Sequence, residues 1–502
     1  EHHDDVTMLY FCQVSYSNFS VAVSEDGESW SDDYIADMAE GECFQWKYLT
    51  PSYMGKDKYG NDKRFFYSQP IKFSARYVRI TSQQIGLKMN EVIFHDANGD
   101  RIPATVIAQL NVMEESTLYS DANNIFDEQD TLEGLPNWWN STYFDEIYHA
   151  RTAYEHLHGT APYETSHPPL GKVIMSLGIA IFGMVPFGWR VMGALAGILM
   201  LPAMYLLGKQ LTKKSSFAFA AALMLALDCQ HFTQTRIATI DSYPVLFILF
   251  SWLFMLRFMQ RDIVRLPVKK FLPDLALSGL FMGLGIASKW IGVYSGAGLA
   301  VAFFWTIFRH MRMAATSAHL LKTDKSLSDE DRKILTLRDQ TTMKRVLVIC
   351  LWCLLFFVAI PLAIYLLAYI PYFAYAHFDN LKDYLTAVWN AQLRMFSYHS
   401  KPGLGMDHPF YSPWYEWIFN QRPMYYASPT YVNTPGWSYA IWCFGNPAIW
   451  SAALVGFAYT VFMWAKRHRY TLRKDGETLH WTAADWDVTM PFLLLSALSQ
   501  FL

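Results

Sequence analysis

The sequence predicts a polytopic α-helical membrane protein that carries a β-rich domain ahead of its helices. Three observations predict it. Of the 502 residues, 52% are hydrophobic and only 17% are charged, against roughly 25% charged in soluble domains. Apolar runs near the 20-residue bilayer length recur from about residue 190 onward. Before them come short alternating segments with Gly and Asp turns. Mean hydropathy is only +0.09, as expected when a soluble part dilutes a hydrophobic one. A net charge of −3 gives no reason to expect a nucleic-acid partner. The 18 Trp and 30 Tyr suit a chain with two membrane–water interfaces.

Residues 1–112 read as β structure. Phe19-Ser20-Val21-Ala22-Val23 alternates apolar and polar, Ser24-Glu25-Asp26-Gly27-Glu28 turns the chain, and Trp30 follows. Arg76 to Ile80 and Glu91 to Phe94 give two further strands. Many short strands of this kind predict a β-sandwich. Residues 113–189 form a connector with juxtamembrane helices. Within it, 143–158 reads as an amphipathic helix with Asp145 and Glu146 in its first turn, where a helix tolerates negative charge. Gly159 and Pro162 stop it. The run 169–185 is apolar but interrupted by Lys172 and followed by Pro186, so it is expected along the membrane surface.

Residues 190–502 form the spanning region, with spans expected at about 190–210, 215–232, 238–259, 273–288, 291–308, 346–370, 438–464 and 489 onward. Lys213-Lys214, Arg257 to Lys270, the loop Arg309 to Arg345, and Lys466 to Lys474 fall on one side if the spans alternate, and that side is expected to be cytoplasmic. The other side then carries Asp145, Glu146, His167, Arg236, Asp241, Lys289 and the long loop 371–437. The chain begins without Met and stops in an apolar run, so the helix count is read as a lower bound.

Ionised groups at a membrane face usually mark a substrate or ion site. Five clusters gather on the expected external side: Asp145-Glu146; His167-Pro168-Pro169-Leu170 with Lys172; Gln234 to Ser242, containing Arg236 and Asp241; Ser288-Lys289-Trp290; and the loop from His399 through His408, Trp414 and Trp417 to Arg422. A phosphate-bearing lipid needs cations at headgroup depth, for which Arg236, Lys289, Lys172 and Arg422 are candidates, Arg giving the better bidentate fit. Trp414, Trp417, His399 and His408 offer a sugar polar edges and aromatic faces. A hydroxyl acceptor needs a positioned base, and a carboxylate suits that task.

Each cluster also has a structural reading. Arg236 and Asp241 are spaced for an ion pair across a helix start, Lys289 for snorkelling, Trp417 for an aromatic belt, and the acidic pair for a helix N-terminus. His399 and His408 with Glu416 lack a recognisable metal spacing, so a divalent metal is a lesser alternative. Cys350 and Cys353 form a CxxC in an apolar run without His or Asp nearby, and Cys12 and Cys43 are a possible disulfide of the soluble part. Asn18-Phe19-Ser20 and Asn140-Ser141-Thr142 match the glycosylation sequon.

The segments YFDEIYHA, SHPPLGK, GWRVMGALAG followed by LPAMYLLG, TRIATIDS, SKWIGVYS, HPFYSPWYEW and FGNPAIWS, in that order over about residues 140–502, resemble glycosyltransferase family 39, the protein O-mannosyltransferase-like GT-C membrane enzymes. FSVAVSEDGESW, ARYVRITS and LKMNEVIFHD resemble the later strands of a discoidin-like (coagulation factor 5/8 C-type) sandwich, a family that often binds sugars or lipids. A structural spacer is the plainer alternative.

The resemblance implies a GT-C fold with its active site on the outer face, a polyprenyl-phosphate donor, typically of mannose, and an inverting transfer. It makes Asp145 the base with Glu146 beside it, and matches the family's loop Arg and Asp to Arg236 and Asp241 and its Lys-Trp to Lys289 and Trp290. His167 and Asp241 join Trp290, His399, His408, Trp414 and Trp417 as pocket candidates. No nucleotide or other cofactor is required. The chain departs from eukaryotic members in lacking a recognisable β-trefoil. Its β domain is expected in the first external loop, after a missing first span, as in a bacterial version at the plasma membrane. The acceptor is expected to be Ser or Thr of an extracytoplasmic protein, with a lipid or wall glycan as alternatives, and the sequence leaves the oligomeric state open. Two competing readings are a transporter or flippase of a lipid-linked or small polar substrate and a sugar-binding receptor. The charges sit at span ends on one side and no internal repeat is visible, which argues against the transporter.

Overall fold

A computed structural model describes residues 1–12, 18–36, 45–56, 60, 62–67, 69–82, 87–110, 121–127, 138–406, 410–417, 419–427, 440–466, 472–475, 478–481 and 488–499. The chain divides into two compact units. The first comprises Glu1–Thr152, Met184–Phe187 and Tyr425–Trp442; the second comprises Ala153–Gly183, Gly188–Met424 and Cys443–Leu502.

The first unit is built on ten strands: β1 (His3–Cys12), β2 (Phe19–Ser24), β3 (Tyr34–Ile35), β4 (Trp46–Tyr48), β5 (Ser52–Lys56), β6 (Asp62–Phe66), β7 (Phe73–Ala75), β8 (Tyr77–Ser82), β9 (Met89–His95) and β10 (Arg101–Ile102). One antiparallel sheet runs β10-β9-β1-β4 with β7 also on β1; a second runs β3-β2-β8; β5 and β6 form a separate ribbon. Val6, Met8 and Tyr10 of β1, Phe19 and Val21 of β2, Phe73 of β7 and Val92 and Phe94 of β9 lie in one core cluster, so the two larger sheets share it. Gly27 supplies the left-handed backbone (φ +80°) of the turn after β2, and Asp26 Oδ1 accepts from the amides of Glu28 and Ser29 at 2.8 Å. Backbone donation from Ser29, then from Glu28, holds the Asp26 carboxyl well below the usual carboxylate range. The Cys12–Cys43 pairing involves Cys43, which lies outside the described residues.

The helices follow: α1 (Glu146–Leu157), α2 (Leu170–Phe182), α3 (Pro186–Thr212), α4 (Ser215–Ala226), α5 (Cys229–Gln234), α6 (Ser242–Met259), α7 (Leu272–Ser288), α8 (Ile291–Thr323), α9 (Asp329–Leu354), α10 (Ile360–Tyr372), α11 (Leu381–His399), the single turn α12 (Trp414–Trp417), α13 (Pro447–Ala465) and α14 (Thr489–Leu498). Two further strands, β11 (Met424–Ala427) and β12 (Ile441–Cys443), pair with each other, as do β13 (Leu472–Asp475) and β14 (Thr478–Trp481). Among the described residues four helical stretches are long and apolar enough to cross a membrane: Pro186–Thr212, Ser242–Met259, Ile291–Thr323 and Asp329–Tyr372. Outward-facing Ile198, Phe304, Phe308, Leu351 and Leu362 are more than half exposed, as suits a surface solvated by lipid.

Three local differences from the sequence expectation have physical causes. The apolar run 215–232 breaks at Asp228, whose carboxylate caps α5 through the Gln230 amide; α4 is therefore 12 residues long, about 18 Å and too short to cross alone. The basic stretch 309–345 is a helical hairpin instead of a loop. Here α8 runs on to Thr323, and Ser328 starts α9 by accepting from the Asp331 amide. The loop 371–437 contains α11, capped by Asn380. Leu381, Trp389, Leu393 and Phe396 are exposed along it, while Val388, Ala391 and Met395 pack against Tyr369 and Tyr372 of α10, the pattern of a helix lying in an interface.

Pro361 lacks the amide that a continuous helix would use there, and the chain passes from α9 to α10 through a π-helical turn at Leu355–Ala359. That turn packs closely on α7, where a Cβ on Gly279 would lie 2.1 Å from the Phe356 carbonyl oxygen, so glycine is required.

The bundle has two chemically distinct ends. At one, Arg257 in the last turn of α6 and Arg261 just after it pair with Asp274 of α7, Lys213 after α3 donates to Gln260, and Arg338 of α9 pairs with Asp262 at 2.7 Å. At the other, Lys289 after α7 meets Asp241 before α6.

Candidate active site

The acidic motif belongs to the first unit and is anchored to its β domain. Gln45 donates to the Thr142 carbonyl at 2.8 Å, and the Trp46 amide donates to Ser141 Oγ at 3.3 Å. Phe144 then takes a left-handed backbone (φ +51°), a conformation that costs a bulky L-residue of order 1–3 kcal/mol. Its ring lies 4.4 Å from that of Tyr426. Asp145 follows directly, half-buried, and its carbonyl accepts from the amides of Tyr148 and His149 at 3.1 Å, so it stands at the entry to α1. Glu146 is fully buried and its carboxylate reaches back to accept from the Tyr143 amide at 3.2 Å, closing the turn that leads into α1. The two acids therefore differ. Glu146 secures the turn, and Asp145 occupies a position that strained backbone defines.

The second unit brings most of the other candidates together. Lys289 Nζ donates to Asp241 Oδ1 at 2.6 Å, and Gln234 Nε2 donates to Asp241 Oδ2 at 3.1 Å and to Thr239 Oγ1 at 2.9 Å. The Arg236–Asp241 ion pair that the spacing allows is thus replaced by Lys289–Asp241. Arg236 is exposed, lies over the Phe232 ring at 3.9 Å, and makes no ion pair among the described residues. Its donors remain available to a ligand.

His399 Nε2 is 2.8 Å from the Ser166 carbonyl oxygen, to which it donates. Its ring contacts His167 (centroids 5.3 Å apart) and Trp290 (6.1 Å). Trp290 donates to Tyr365 Oη at 3.1 Å, and Tyr365 donates to Gln392. His167 Nδ1 lies 3.2 Å from Glu164 Oε1. Burial is the main influence on its imidazole and outweighs Glu164, so its pKa is lowered and the ring is neutral at pH 7.

Lys172 departs from the expectation that it holds a donor phosphate. It is fully buried, ion-paired to Glu164, and its ammonium also donates to the Glu164 and His167 carbonyls at 3.0 and 3.3 Å. All three ammonium donors have acceptors, and a buried charge needs such partners. Glu164, which the sequence reading left out of the site, is the centre of this group: it also accepts from the Ser166 amide and hydroxyl. The signal available was an acid three residues before His167 and eight before Lys172 in Tyr163-Glu164-Thr165-Ser166-His167.

The rest of the long loop forms its own cluster. Arg422 Nη1 donates to the Tyr411 carbonyl at 3.1 Å and its Nε lies 3.6 Å from Glu416; Trp417 Nε1 donates to Ser412 Oγ at 3.0 Å. His408 and the Trp414 side chain lie outside the described residues.

A family profile described as dolichyl-phosphate-mannose-protein mannosyltransferase matches residues 182–381. The chain is 25% identical over 407 residues to a polyprenol-phosphate-mannose–protein mannosyltransferase of Mycobacterium tuberculosis, covering 72% of this chain and 73% of that one. Proteins of the same description from Mycolicibacterium smegmatis (24% identity; 74% and 76% covered) and Corynebacterium glutamicum (26%; 67% and 68%) also match. Among solved structures, the S. cerevisiae protein O-mannosyltransferase Pmt1-Pmt2 complex bound to the sugar donor matches with TM-score 0.38 and 19% identity over 48% of this chain and 31% of that one. ArnT from Cupriavidus metallidurans in the apo state matches with TM-score 0.36 and 16% identity over 72% and 56%. The resemblance read from the motif series is thus met by relatives of which this chain covers 68–76%.

Proposed function

We propose that this protein O-mannosyltransferase-like membrane glycosyltransferase moves mannose from a polyprenyl-phosphate donor to a Ser or Thr hydroxyl of a protein. The observation that carries the reading is the similarity, over 72% of the chain, to enzymes whose descriptions name that donor and a protein acceptor. A transporter is disfavoured by the same similarity.

In the proposed step the Asp145 carboxylate takes the proton of the acceptor hydroxyl as its oxygen attacks the anomeric carbon. A new C–O bond forms on the face opposite the phosphate, the bond from that carbon to the phosphate oxygen breaks with inversion, and polyprenyl phosphate leaves. Asp145 is assigned by the motif match, and the strained Phe144 backbone before it (φ +51°) supports a positioning demand there. Glu146 holds the turn. Arg236, exposed and without an acidic partner among the described residues, is the cation we assign to the leaving phosphate. Lys289 contributes charge under the control of Asp241, and Trp290, His167 and His399 offer the sugar ring faces and edges. The mechanism routes no step through a metal or nucleotide.

We further place the protein in the plasma membrane of a bacterial cell with this chemistry on the extracytoplasmic side, because the basic segments gather at the opposite bundle end. There the β domain, read as a discoidin-like sandwich, would meet acceptor or envelope glycan. The test is incubation of the purified chain with polyprenyl-phosphate-mannose and a Ser/Thr peptide. Addition of one hexose to the peptide, lost in Asp145→Asn with folding retained, is expected. Robust transfer by Asp145→Asn removes that residue from the mechanism, and solute uptake into proteoliposomes without any transfer overturns the reading.

A further inference from the structure

The basic end of the helical bundle holds a cavity of about 610 Å³ that the proposed chemistry does not use. Gln210, Lys213, Arg257, Gln260, Arg261 and Thr489 line it, and among the described residues no acidic side chain does. It opens among the C-terminal ends of α3 and α6 and the start of α14. The length of α6, 18 residues or about 27 Å, separates it from Asp241.

Its charge is unbalanced. Asp274 behind it is buried and engages Arg257 Nε at 2.9 Å and Arg261 Nε at 3.3 Å. One carboxylate thus faces two guanidinium groups. Neither arginine has another hydrogen-bond acceptor among the described residues, so their terminal NH2 donors stay available. Lys213 Nζ donates to Gln260 Oε1 at 3.0 Å, a neutral partner. Among the described residues, three cations against one anion leave an excess of two positive charges around a polar cavity. Thr489 begins α14, whose positive dipole end adds to the excess, while the negative C-terminal ends of α3 and α6 offset part of it.

Lys213 is also held at a cost. Its backbone is left-handed (φ +61°) and its amide donates to the Lys209 carbonyl at 2.9 Å. That is the position after a helix where glycine is normally found. A lysine there forgoes the residue best suited to the backbone, yet keeps its ammonium at the cavity. Burial, and then the neighbouring Arg261 charge, lower its pKa from the ordinary lysine value, as expected where cations crowd without a counter-ion.

We propose that this cavity binds a phosphate group, supplied either by the headgroup of an anionic phospholipid in that leaflet or by free phosphate. Arginine forks suit phosphate oxygens bidentately, Lys213 adds a third charge, and basic pockets between helices at such a face take lipid headgroups.

The test uses the full chain in nanodiscs and reads its thermal midpoint. In phosphatidylglycerol the wild-type midpoint is expected to rise above its value in phosphatidylcholine. The rise is expected to be lost or at least halved in Lys213→Gly and Lys213→Asn, which suit the left-handed backbone and so keep the phosphatidylcholine baseline, and kept in Lys213→Arg. Titration of the wild type with phosphatidylglycerol is expected to give an affinity about fivefold tighter than that of Lys213→Gly. A variant-sensitive rise with inorganic phosphate in phosphatidylcholine, without one from phosphatidylglycerol, supports the site with free phosphate as its ligand. Equal rises in wild type and Lys213→Gly, or none with either probe, overturn the proposal.

Discussion

Lys289 donates to one oxygen of Asp241 at 2.6 Å while Gln234 donates to the other at 3.1 Å. The carboxylate therefore ties the end of α7 to the segment between α5 and α6. Both side chains of the ion pair are about one-third exposed, so solvent screens it and its worth to stability is only ~0.2–1 kcal/mol. Its value lies in fixing where a cation stands. Asp241→Asn is expected to lower the mannosyl transfer rate at least tenfold while moving the thermal midpoint little. A double-mutant cycle with Lys289→Gln on the transfer rate should be strongly non-additive; additive losses would separate the two residues.

Lys172 and Glu164 call for a different expectation, because their pair is buried, with the lysine side chain wholly so. Removing one partner strands a charge and typically costs 3–5 kcal/mol. Lys172→Met is expected to lower folded yield and the denaturation midpoint in detergent. The double variant Lys172→Met/Glu164→Gln should recover much of that loss. If Lys172→Met instead folds normally and only raises KM for the lipid donor, the lysine belongs at the phosphate after all.

These two lysines show what the sequence could and could not disclose. Both stand in motifs of the right residue types, and both are near apolar helices. Only the surroundings separate a screened, adjustable ion pair from a sealed one, and those surroundings come from residues far away in sequence. The spans expected at about 238–259 and 273–288 were legible, matching α6 (Ser242–Met259) and α7 (Leu272–Ser288), because their apolar runs give way to Gln260-Arg261 and to Lys289, although the first expectation runs four residues too long, through Asp241. The hairpin at 309–345 was not. Its charged composition reads as a loop, whereas Arg309 donates to the Met259 carbonyl at 2.7 Å and Arg338 pairs with Asp262, tertiary contacts that hold it against the bundle. Likewise α4 ends early because Asp228 caps a new helix and accepts from the Asn446 amide at 2.7 Å, a partner that hydropathy alone does not name. The strained backbone at Phe144 leaves no compositional trace, since the residue is neither Gly nor Asn.

His156 gives a pH prediction. Both its ring nitrogens are buried without a hydrogen-bond partner among the described residues. Burial, with the Lys172 charge adding to it, pushes its pKa from 6.5 down to about 3. The folded-state value lies below the unfolded one, so the unfolded chain takes up a proton that the folded chain refuses. The contribution to stability is therefore complete above pH 6.5 and is lost as pH falls toward 3, by at most ~1.4 kcal/mol per pH unit. His156→Phe should flatten this part of the stability–pH curve and leave the neutral-pH midpoint equal or higher. An unchanged slope in that variant would assign the pH dependence to other groups.

The conformation of Phe144 can be probed separately from its ring. Its φ of +51° is readily reached by glycine and poorly by alanine, whereas both substitutions remove the ring that lies 4.4 Å from Tyr426. The difference between Phe144→Gly and Phe144→Ala thus reports the backbone alone. Alanine should be the less stable of the two by about 1 kcal/mol, after allowing for the extra freedom glycine gives the unfolded chain. Activity should follow a different order. If the left-handed residue serves to hold Asp145 in one orientation, Phe144→Gly relieves strain yet frees the turn. It is then expected to lower kcat severalfold while remaining more stable than Phe144→Ala, with KM for the lipid donor little altered. Thermal melts and steady-state transfer assays on the two variants decide the point, and full kcat in Phe144→Gly would mean that the strain at this turn serves only to bring the chain into α1.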